Sequence, residues 1–288
     1  MRYEGRIFRP PSEGRSYILQ ATIGCKHNTC AFCDMYYEKT YRERALNEVL
    51  EDIKLAKEAG YNPERIFIAD GDALAMETEK LDTILDAINK TFTKTKRVGI
   101  YATARDVLDK NIEDLKRFKD KGLGIVYLGL ESGDDEILKK MQKADRSEAM
   151  IQAAIRIKEA GMKLSVTVIS GLGGQSQWEN HAVKTGQVLT AMNPDYIGLL
   201  TLMLSPNTPI SQWIDSGAFV QLSPEAILLE TKLMLEHLNV SDCAFRSNHA
   251  SNYVSLSAQL PHEKDKALAQ IDHALRHAGY KPESYRQL

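Results

Sequence analysis

Tyr17-Ile18-Leu19-Gln20-Ala21-Thr22-Ile23 is a short run of β-branched, aromatic and leucine side chains, and Gly24 and Cys25 follow it at once. Runs of this kind read as buried strands. Five more recur at 66–69, 98–102, 125–130, 164–169 and 196–202. Segments of helical period lie between them. Leu46, Val49, Leu50 and Ile53 share one face before Gly60, and Leu81, Ile84, Leu85 and Ile88 repeat the arrangement. Ser147 is placed to cap a helix whose apolar face includes Ile151, Ala154 and Ile155, with Gly161 at its end. Such alternation marks an α/β fold whose parallel strands are joined by right-handed crossovers, as an open sheet or a barrel. In either form, functional groups gather beyond the carboxyl ends of the strands.

After the sixth run the alternation stops. From Ser205 onward the chain reads as loop and helix, with Ser223-Pro224-Glu225 a helix start and 262–277 a last helix. No stretch rich in Gly, Ser or Pro separates the parts. The expected organisation is a core over 1–204 with a carboxyl-terminal extension, 205–288, packed on it.

The 288 residues are 43% hydrophobic, and 37 basic against 39 acidic side chains leave a formal charge of −2. Nucleic-acid binders usually carry a basic stripe, so nucleic acid is not an expected partner. No apolar run approaches the roughly 18 residues of a membrane span, and Met1-Arg2-Tyr3-Glu4-Gly5-Arg6 has no apolar leader core behind it. A cytoplasmic location without membrane attachment is expected. There are four cysteines, three of them packed into Cys25-Lys26-His27-Asn28-Thr29-Cys30-Ala31-Phe32-Cys33 and the fourth at Cys243. Tight clustering in a reducing compartment points to metal or redox chemistry rather than a disulfide framework.

The cluster directly follows the first strand, where a loop would project over the functional end. Three thiolates within nine residues suit an iron-sulfur cube with one iron left open. Zinc held by Cys30 and Cys33 with Cys25, His27 or Asp34 is an alternative. So is a two-iron ferredoxin cluster, which needs a fourth thiolate and has only distant Cys243 to supply it. Plain buried thiols fit poorly in a loop as polar as Lys26-His27-Asn28.

These residues resemble the radical S-adenosylmethionine (SAM) superfamily. Its usual C-x3-C-x2-C signature has an aromatic residue before the last cysteine, as Phe32 is here, although the first spacer has four residues. The resemblance runs from about Tyr17 to Leu204. Ala69-Asp70-Gly71-Asp72 stands where the superfamily receives the methionine amino group. Tyr127-Leu128-Gly129-Leu130-Glu131-Ser132-Gly133-Asp134-Asp135 is similar to the segment whose acidic residue approaches SAM, and Ile169-Ser170-Gly171-Leu172-Gly173-Gly174 to the support for adenine. Taken singly, Gly71 and Gly171 could be turn glycines, Asp70 a helix cap and Glu131 an ion-pair partner.

The resemblance implies a partial (β/α)6 TIM-like barrel with a helical carboxyl-terminal cap. It implies a [4Fe-4S] cluster on Cys25, Cys30 and Cys33 and SAM on its open iron. Reductive cleavage then gives a 5'-deoxyadenosyl radical that abstracts hydrogen from a substrate, with flavodoxin or ferredoxin as electron donor. Asp70 and Asp72 are expected near the methionine ammonium. Arg105 or Arg146 is expected at its carboxylate, with a plain surface arginine as the alternative for Arg105. Glu131, Ser132 and Ser170 are expected at the ribose or amino group, and Phe32, Gly71 and Gly171 also line the SAM site.

A later segment is dense in recognition groups: Phe245-Arg246-Ser247-Asn248-His249-Ala250-Ser251-Asn252-Tyr253. With Arg9-Pro10-Pro11-Ser12 and Leu202-Met203-Leu204-Ser205-Pro206-Asn207-Thr208-Pro209, it resembles BchE-like and coproporphyrinogen-oxidase-like members of the superfamily. Arg246 offers a fork for an anion, Asn248 paired donors and acceptors, and His249 a proton near neutral pH. These three are the expected substrate contacts, with a hydrogen-bonded Asn/Ser turn as the alternative. Cys243, just before them, reads as a packed thiol or as a radical-quenching or attachment point. The expected substrate is a small molecule; the alternatives are RNA or protein modification by the same core, or a noncatalytic zinc or iron-sulfur protein.

Overall fold

All six β-rich runs are strands in the computed structural model, which describes residues 2–286. Met1, and Gln287 and Leu288 at the end of the expected extension, lie outside the described residues. The first run is split. β1 (Tyr17–Gln20) pairs in parallel with β4 (Arg65–Ala69), while β2 (Thr22–Ile23) leaves that partner and pairs antiparallel with β3 (Arg42–Glu43). Ala21 is the joint: its N–H donates to Ala69 O and its carbonyl accepts from Arg44 N–H, each at 3.0 Å. The segment carrying the cysteines is therefore closed at its base by a short ladder.

The chain divides into two compact units, one made of Met1–Asn28, Met35–Leu128 and Ile155–Leu164, the other of Thr29–Asp34, Gly129–Ala154 and Ser165–Leu288. In the first, β1, β4, β5 (Arg97–Ala102) and β6 (Leu123–Glu131, whose last residues belong to the second unit) run parallel, and a register shift at Val98/Gly99 interrupts the pairing of β5 with β6. The helices between them follow the apolar periodicity. Helix α1 (Leu46–Glu58) buries Val49 and Ile53, and α2 (Thr78–Thr91) buries all four of Leu81, Ile84, Leu85 and Ile88. Helix α3 (Ala104–Leu108) starts from a capping box in which the Thr103 and Asp106 side chains each take the other's backbone N–H. Helix α4 (Ile112–Asp120) buries Leu115 and Phe118. Inward positions of the strands make an apolar cluster of Ile18, Phe67, Ala69, Ile125 and Tyr127. Fully buried Glu13 bonds Arg97, Tyr127 and Ser16, so its charge is matched rather than stranded.

The second unit holds α5 (Asp135–Lys140) and the start of α6 (Ser147–Glu159), most of β7 (Lys163–Ser170), then α7 (Gly174–Met192), β8 (Tyr196–Thr201), α8 (Pro209–Asp215) and α9 (Pro224–Glu236). On α6 the buried stripe is Met150, Ala153, Ala154 and Ile157, an i, i+3, i+4, i+7 set. This corrects the expected face, because Ile155 falls off that stripe and is 49% exposed. Ser147 is the first residue of the helix rather than its cap; its N–H and hydroxyl both donate to Asp135. Ser223 caps α9 as expected, accepting from Ala226 N–H.

The segment after 204 is more than loop and helix. β9 (Cys243–Ser247) lies parallel to β8, and β10 (Leu256–Leu260) closes that edge antiparallel before α10 (Lys264–His277). The sequence hides β9 because Arg246 and Ser247 interrupt its apolar run, while Cys243, Phe245 and Ser247 alternate into the interior. Among the described residues, no helix is long and apolar enough to cross a membrane.

Candidate functional site

In the first unit, the Asp70-Gly71-Asp72 turn at the end of β4 grips the chain around Cys25. Asp70 is fully buried, and its Oδ2 accepts from Gln20 Nε2 at 3.1 Å, Gly24 N at 3.0 Å and Lys39 Nζ at 2.7 Å. Its Oδ1 is buried without a hydrogen-bond partner. Gly71 N–H donates to Gly24 O, and a Cβ on Gly71 would come within 2.9 Å of both Cys25 Cβ and Tyr36 Cε2. Only glycine allows that approach. Asp72 accepts from Lys26 N–H at 2.6 Å and lies 3.6 Å from Cys25 Sγ. Of the two aspartates read as receivers of an ammonium, Asp72 thus has partners in the cysteine loop and Asp70 has them on either side of it, in Gly24 and Lys39. Asp106 shares this neighbourhood: burial and then the charge of Asp72 push its carboxyl up to about 7, against the bonds from Thr103.

Lys39 carries no local sequence signal, yet it is the buried cation of this corner. Its side chain is 8% exposed, it pairs with Asp70, and it donates to Arg6 O. Asn28 braces the same turn by donating to Tyr36 O at 2.8 Å and Lys39 O at 3.2 Å.

In the second unit, Cys30 and Cys33 sit on a turn closed by Cys33 N–H to Cys30 O. Ala31 between them is fully buried; its N–H donates to Met141 O at 2.9 Å and its carbonyl accepts from Ile210 N–H at 3.0 Å. Phe32 packs against a cluster formed by Ala31, Ile137, Met141, Leu172, Ile210 and Phe219, so the aromatic residue fastens the thiol turn to the core. All three clustered thiols are half-buried and outside any disulfide. Among the described residues, no three His, Cys, Asp or Glu side chains converge as the ligands of a single metal ion do. Thiolates of a four-iron cluster each hold a different iron and need not converge.

Glu131 ends β6 with φ +64, in the left-handed region that a β-extended residue avoids. Its Oε1 lies 3.6 Å from Lys143 Nζ, and its buried Oε2 has no hydrogen-bond partner. Burial raises its carboxyl above the usual range despite Lys143. Ser132 is fully buried and spends its Oγ accepting from Asp134 N–H. Gly171, one residue past β7, donates its N–H to Glu230 Oε2 at 2.8 Å, beside the nearly buried Ser170. A buried carboxylate oxygen left open is what a ligand hydroxyl or ammonium can satisfy, so these strand ends fit a polar, hydrogen-bond-donating cofactor such as SAM.

A raised carboxyl has a consequence for stability. Between 4.5 and its folded value, Glu131 binds more protons in the folded chain than in the unfolded one, so stability falls as pH rises through that window. Glu131→Gln removes this loss. Urea unfolding of the cofactor-free protein is expected to show the variant gaining on the parent as pH is raised from 5 to 8, and a constant or shrinking difference contradicts the burial of that charge.

Each of the two expected cations has local partners of its own. Arg105 is on α3 with 82% of its side chain exposed, 3.8 Å from Asp109, and Arg146 folds onto the carbonyls of Lys143, Ala144 and Asp145. In the carboxyl-terminal segment, Arg246 is exposed on β9 and donates to Phe245 O and Ala258 O; Asn248 is exposed. His249 is half-buried, and its Nδ1 faces the N–H and hydroxyl of Ser251. Burial and then Lys281 hold its pKa below the ordinary value, and Nδ1, by accepting the Ser251 N–H, leaves the proton of the neutral ring to Nε2. Ser251 and Asn252 anchor this turn to β8. Thr201 N–H donates to Ser251 Oγ, and Asn252 accepts from Thr201 Oγ1 while donating to Leu199 O at 2.7 Å. Cys243 is fully buried in β9, and burial pushes its thiol up to about 12.

Residues 19–185 match the radical SAM superfamily, and the chain belongs to it. It is 29% identical over 164 residues to a putative methylthiotransferase of Methanocaldococcus jannaschii, covering 54% of this chain and 35% of that one. It is 26% identical over 189 residues to the heme chaperone HemW of Buchnera aphidicola, covering 62% and 48%. The chain thus spans at most about half the length of these relatives. Among solved structures, coproporphyrinogen III oxidase (HemN) of Escherichia coli superposes with a TM-score of 0.58 over 77% of this chain and 52% of that one, at 15% identity. That likeness shows the fold, the partial barrel of radical SAM enzymes. The chain is accordingly an enzyme of this class, one that uses a [4Fe-4S] cluster and SAM.

Proposed function

We propose that Cys25, Cys30 and Cys33 hold the cluster and that the enzyme uses SAM to abstract hydrogen from a small molecule. The observation that carries this is the thiol loop: three reduced, half-buried cysteines, with the backbone before and after Cys25 held by Asp70 and Asp72 and the Cys30–Cys33 turn held by Met141 and Ile210. When bound, the cluster and SAM supply a 5'-deoxyadenosyl radical by one-electron cleavage of the sulfonium bond.

The chain's own residues bind and orient. Glu131 Oε2 accepts from a ribose hydroxyl or the amino group, Ser132, Ser170 and Gly171 shape the adjoining surface, and Gly71 keeps the approach to Cys25 clear. Arg105 or Arg146 meets the SAM carboxylate by swinging from the surface pairings described above. Arg246, Asn248 and His249 contact substrate. The Ser251 bonds fix His249 with Nε2–H as a neutral donor, suited to a carbonyl or carboxylate oxygen. Reduced flavodoxin or ferredoxin supplies the electron, and the cytoplasm, where such donors and free thiols persist, is the proposed location.

The test follows hydrogen. With enzyme, reductant and SAM, deuterated metabolite pools are expected to place deuterium in 5'-deoxyadenosine, and Arg246→Ala is expected to lower that transfer at least about tenfold, the loss of one charge-assisted contact. Deuterium arriving instead from labelled transfer RNA or protein overturns the small-molecule reading.

A further inference from the structure

Helices α7 and α9 carry a buried polar pair that neither the thiol loop nor the substrate segment uses. His181 on α7 and Glu230 on α9 have side chains 2% exposed and meet at 2.9 Å, from Nδ1 to Oε1. An apolar pair would fill this space without the cost of burying charge, so polar groups here need a separate reason. Their remaining atoms supply one. Glu230 Oε2 accepts the N–H of Gly171 at 2.8 Å, and His181 Nε2 faces Glu131 O at 3.4 Å.

One helical turn along the same face of α7, Thr185 Oγ1 accepts Gly133 N–H at 2.9 Å. Here α7 lies so close that a Cβ on Gly133 would stand 2.6 Å from Thr185 Cα. The turn after β6 is thus clasped at both ends by α7, and the turn after β7 is hung from α9 through the same imidazole-carboxylate pair. Glu131 needs such restraint, because its left-handed backbone is strained and its carboxylate has an open oxygen to aim.

We propose that His181 and Glu230 are positioning residues that fix the ends of β6 and β7, at Glu131 and Gly171, in the geometry that receives S-adenosylmethionine. The inference rests on the reading that these two strand ends bind SAM. Neither residue touches the cofactor; each acts through the backbone it holds. The pair is a relay of three bonds, from Gly171 N–H through Glu230 and His181 to Glu131 O. Glu230→Gln preserves all three: the amide oxygen accepts from Gly171, the amide N–H donates to Nδ1, and Nε2–H points at Glu131 O.

The experiment measures SAM dissociation constants by equilibrium dialysis on anaerobically loaded protein without reductant, alongside iron content and melting temperature. The double variant His181→Phe/Glu230→Leu replaces the pair by apolar groups and abolishes the relay. It is expected to keep its iron and its melting temperature and to bind SAM at least about tenfold more weakly, while Glu230→Gln stays within about twofold of the parent. A pair with a merely structural role moves the melting temperature and leaves the dissociation constant alone. Should the double variant fail to fold, Thr185→Val, which frees only Gly133 N–H, is expected to weaken SAM about threefold. Unchanged affinity in either folded, iron-loaded variant overturns the proposal. A parent protein that binds no SAM overturns the reading beneath it instead, so the two failures are distinguishable.

Discussion

Cys30→Ser is expected to leave the chain folded and strip it of iron. The half-buried thiol makes way for a hydroxyl of nearly the same shape, and the bonds that place the turn run through the backbone of Ala31 and Cys33. Stability of the cofactor-free chain should therefore move by no more than about 0.5 kcal/mol. Iron after anaerobic loading should drop from about four atoms per chain to below about one, because a hydroxyl is a poor ligand for iron that prefers thiolate. Cys25→Ser and Cys33→Ser should behave alike. Cys243→Ser is the control: its thiol is sealed in β9, so it should keep its iron and lose about 1–2 kcal/mol from burying a hydroxyl. Iron lost in Cys243→Ser but retained in Cys30→Ser would assign the metal to a different set of ligands.

The largest stability effect is expected at Asp70. Its Oδ2 gathers an amide, a backbone N–H and the Lys39 ammonium in a corner with little exposed surface. Asp70→Ala leaves Lys39 as a buried charge without its carboxylate, which costs roughly 3–5 kcal/mol. The same change frees Gly24 N–H, the last backbone donor before Cys25, so iron uptake should fall as well. The double variant Asp70→Asn/Lys39→Met removes both charges and keeps an oxygen acceptor. Urea unfolding should show it recovering most of the lost stability. A loss below about 1 kcal/mol in Asp70→Ala contradicts the buried pair.

The alternation of strand and helix was legible because the apolar periods of β1, β4 and β7, and of α1 and α2, are set by burial alone. Strand β9 was not, since Arg246 in its middle reads as loop chemistry until its neighbours Phe245 and Ser247 are seen to point inward. The clustered cysteines and the Asp70-Gly71-Asp72 turn were visible as short motifs. What no motif records is which atoms those aspartates hold. Lys39, Gln20, His181, Thr185 and Glu230 lie tens of residues from the groups they bind, so no local pattern marks them. Arg105, singled out by its place just past a strand, has an exposed side chain beside Asp109, and the sequence carries no sign of that pairing beyond its i, i+4 spacing.

The most direct measurement takes the full chain, loaded with iron and sulfide without oxygen, then given SAM and a strong reductant. About four irons and four sulfides per chain, together with 5'-deoxyadenosine that disappears in Cys30→Ser, are expected. A fully loaded protein that forms no 5'-deoxyadenosine, or one that takes up zinc and no sulfide, contradicts the assignment of the three thiols to a cluster that cleaves SAM.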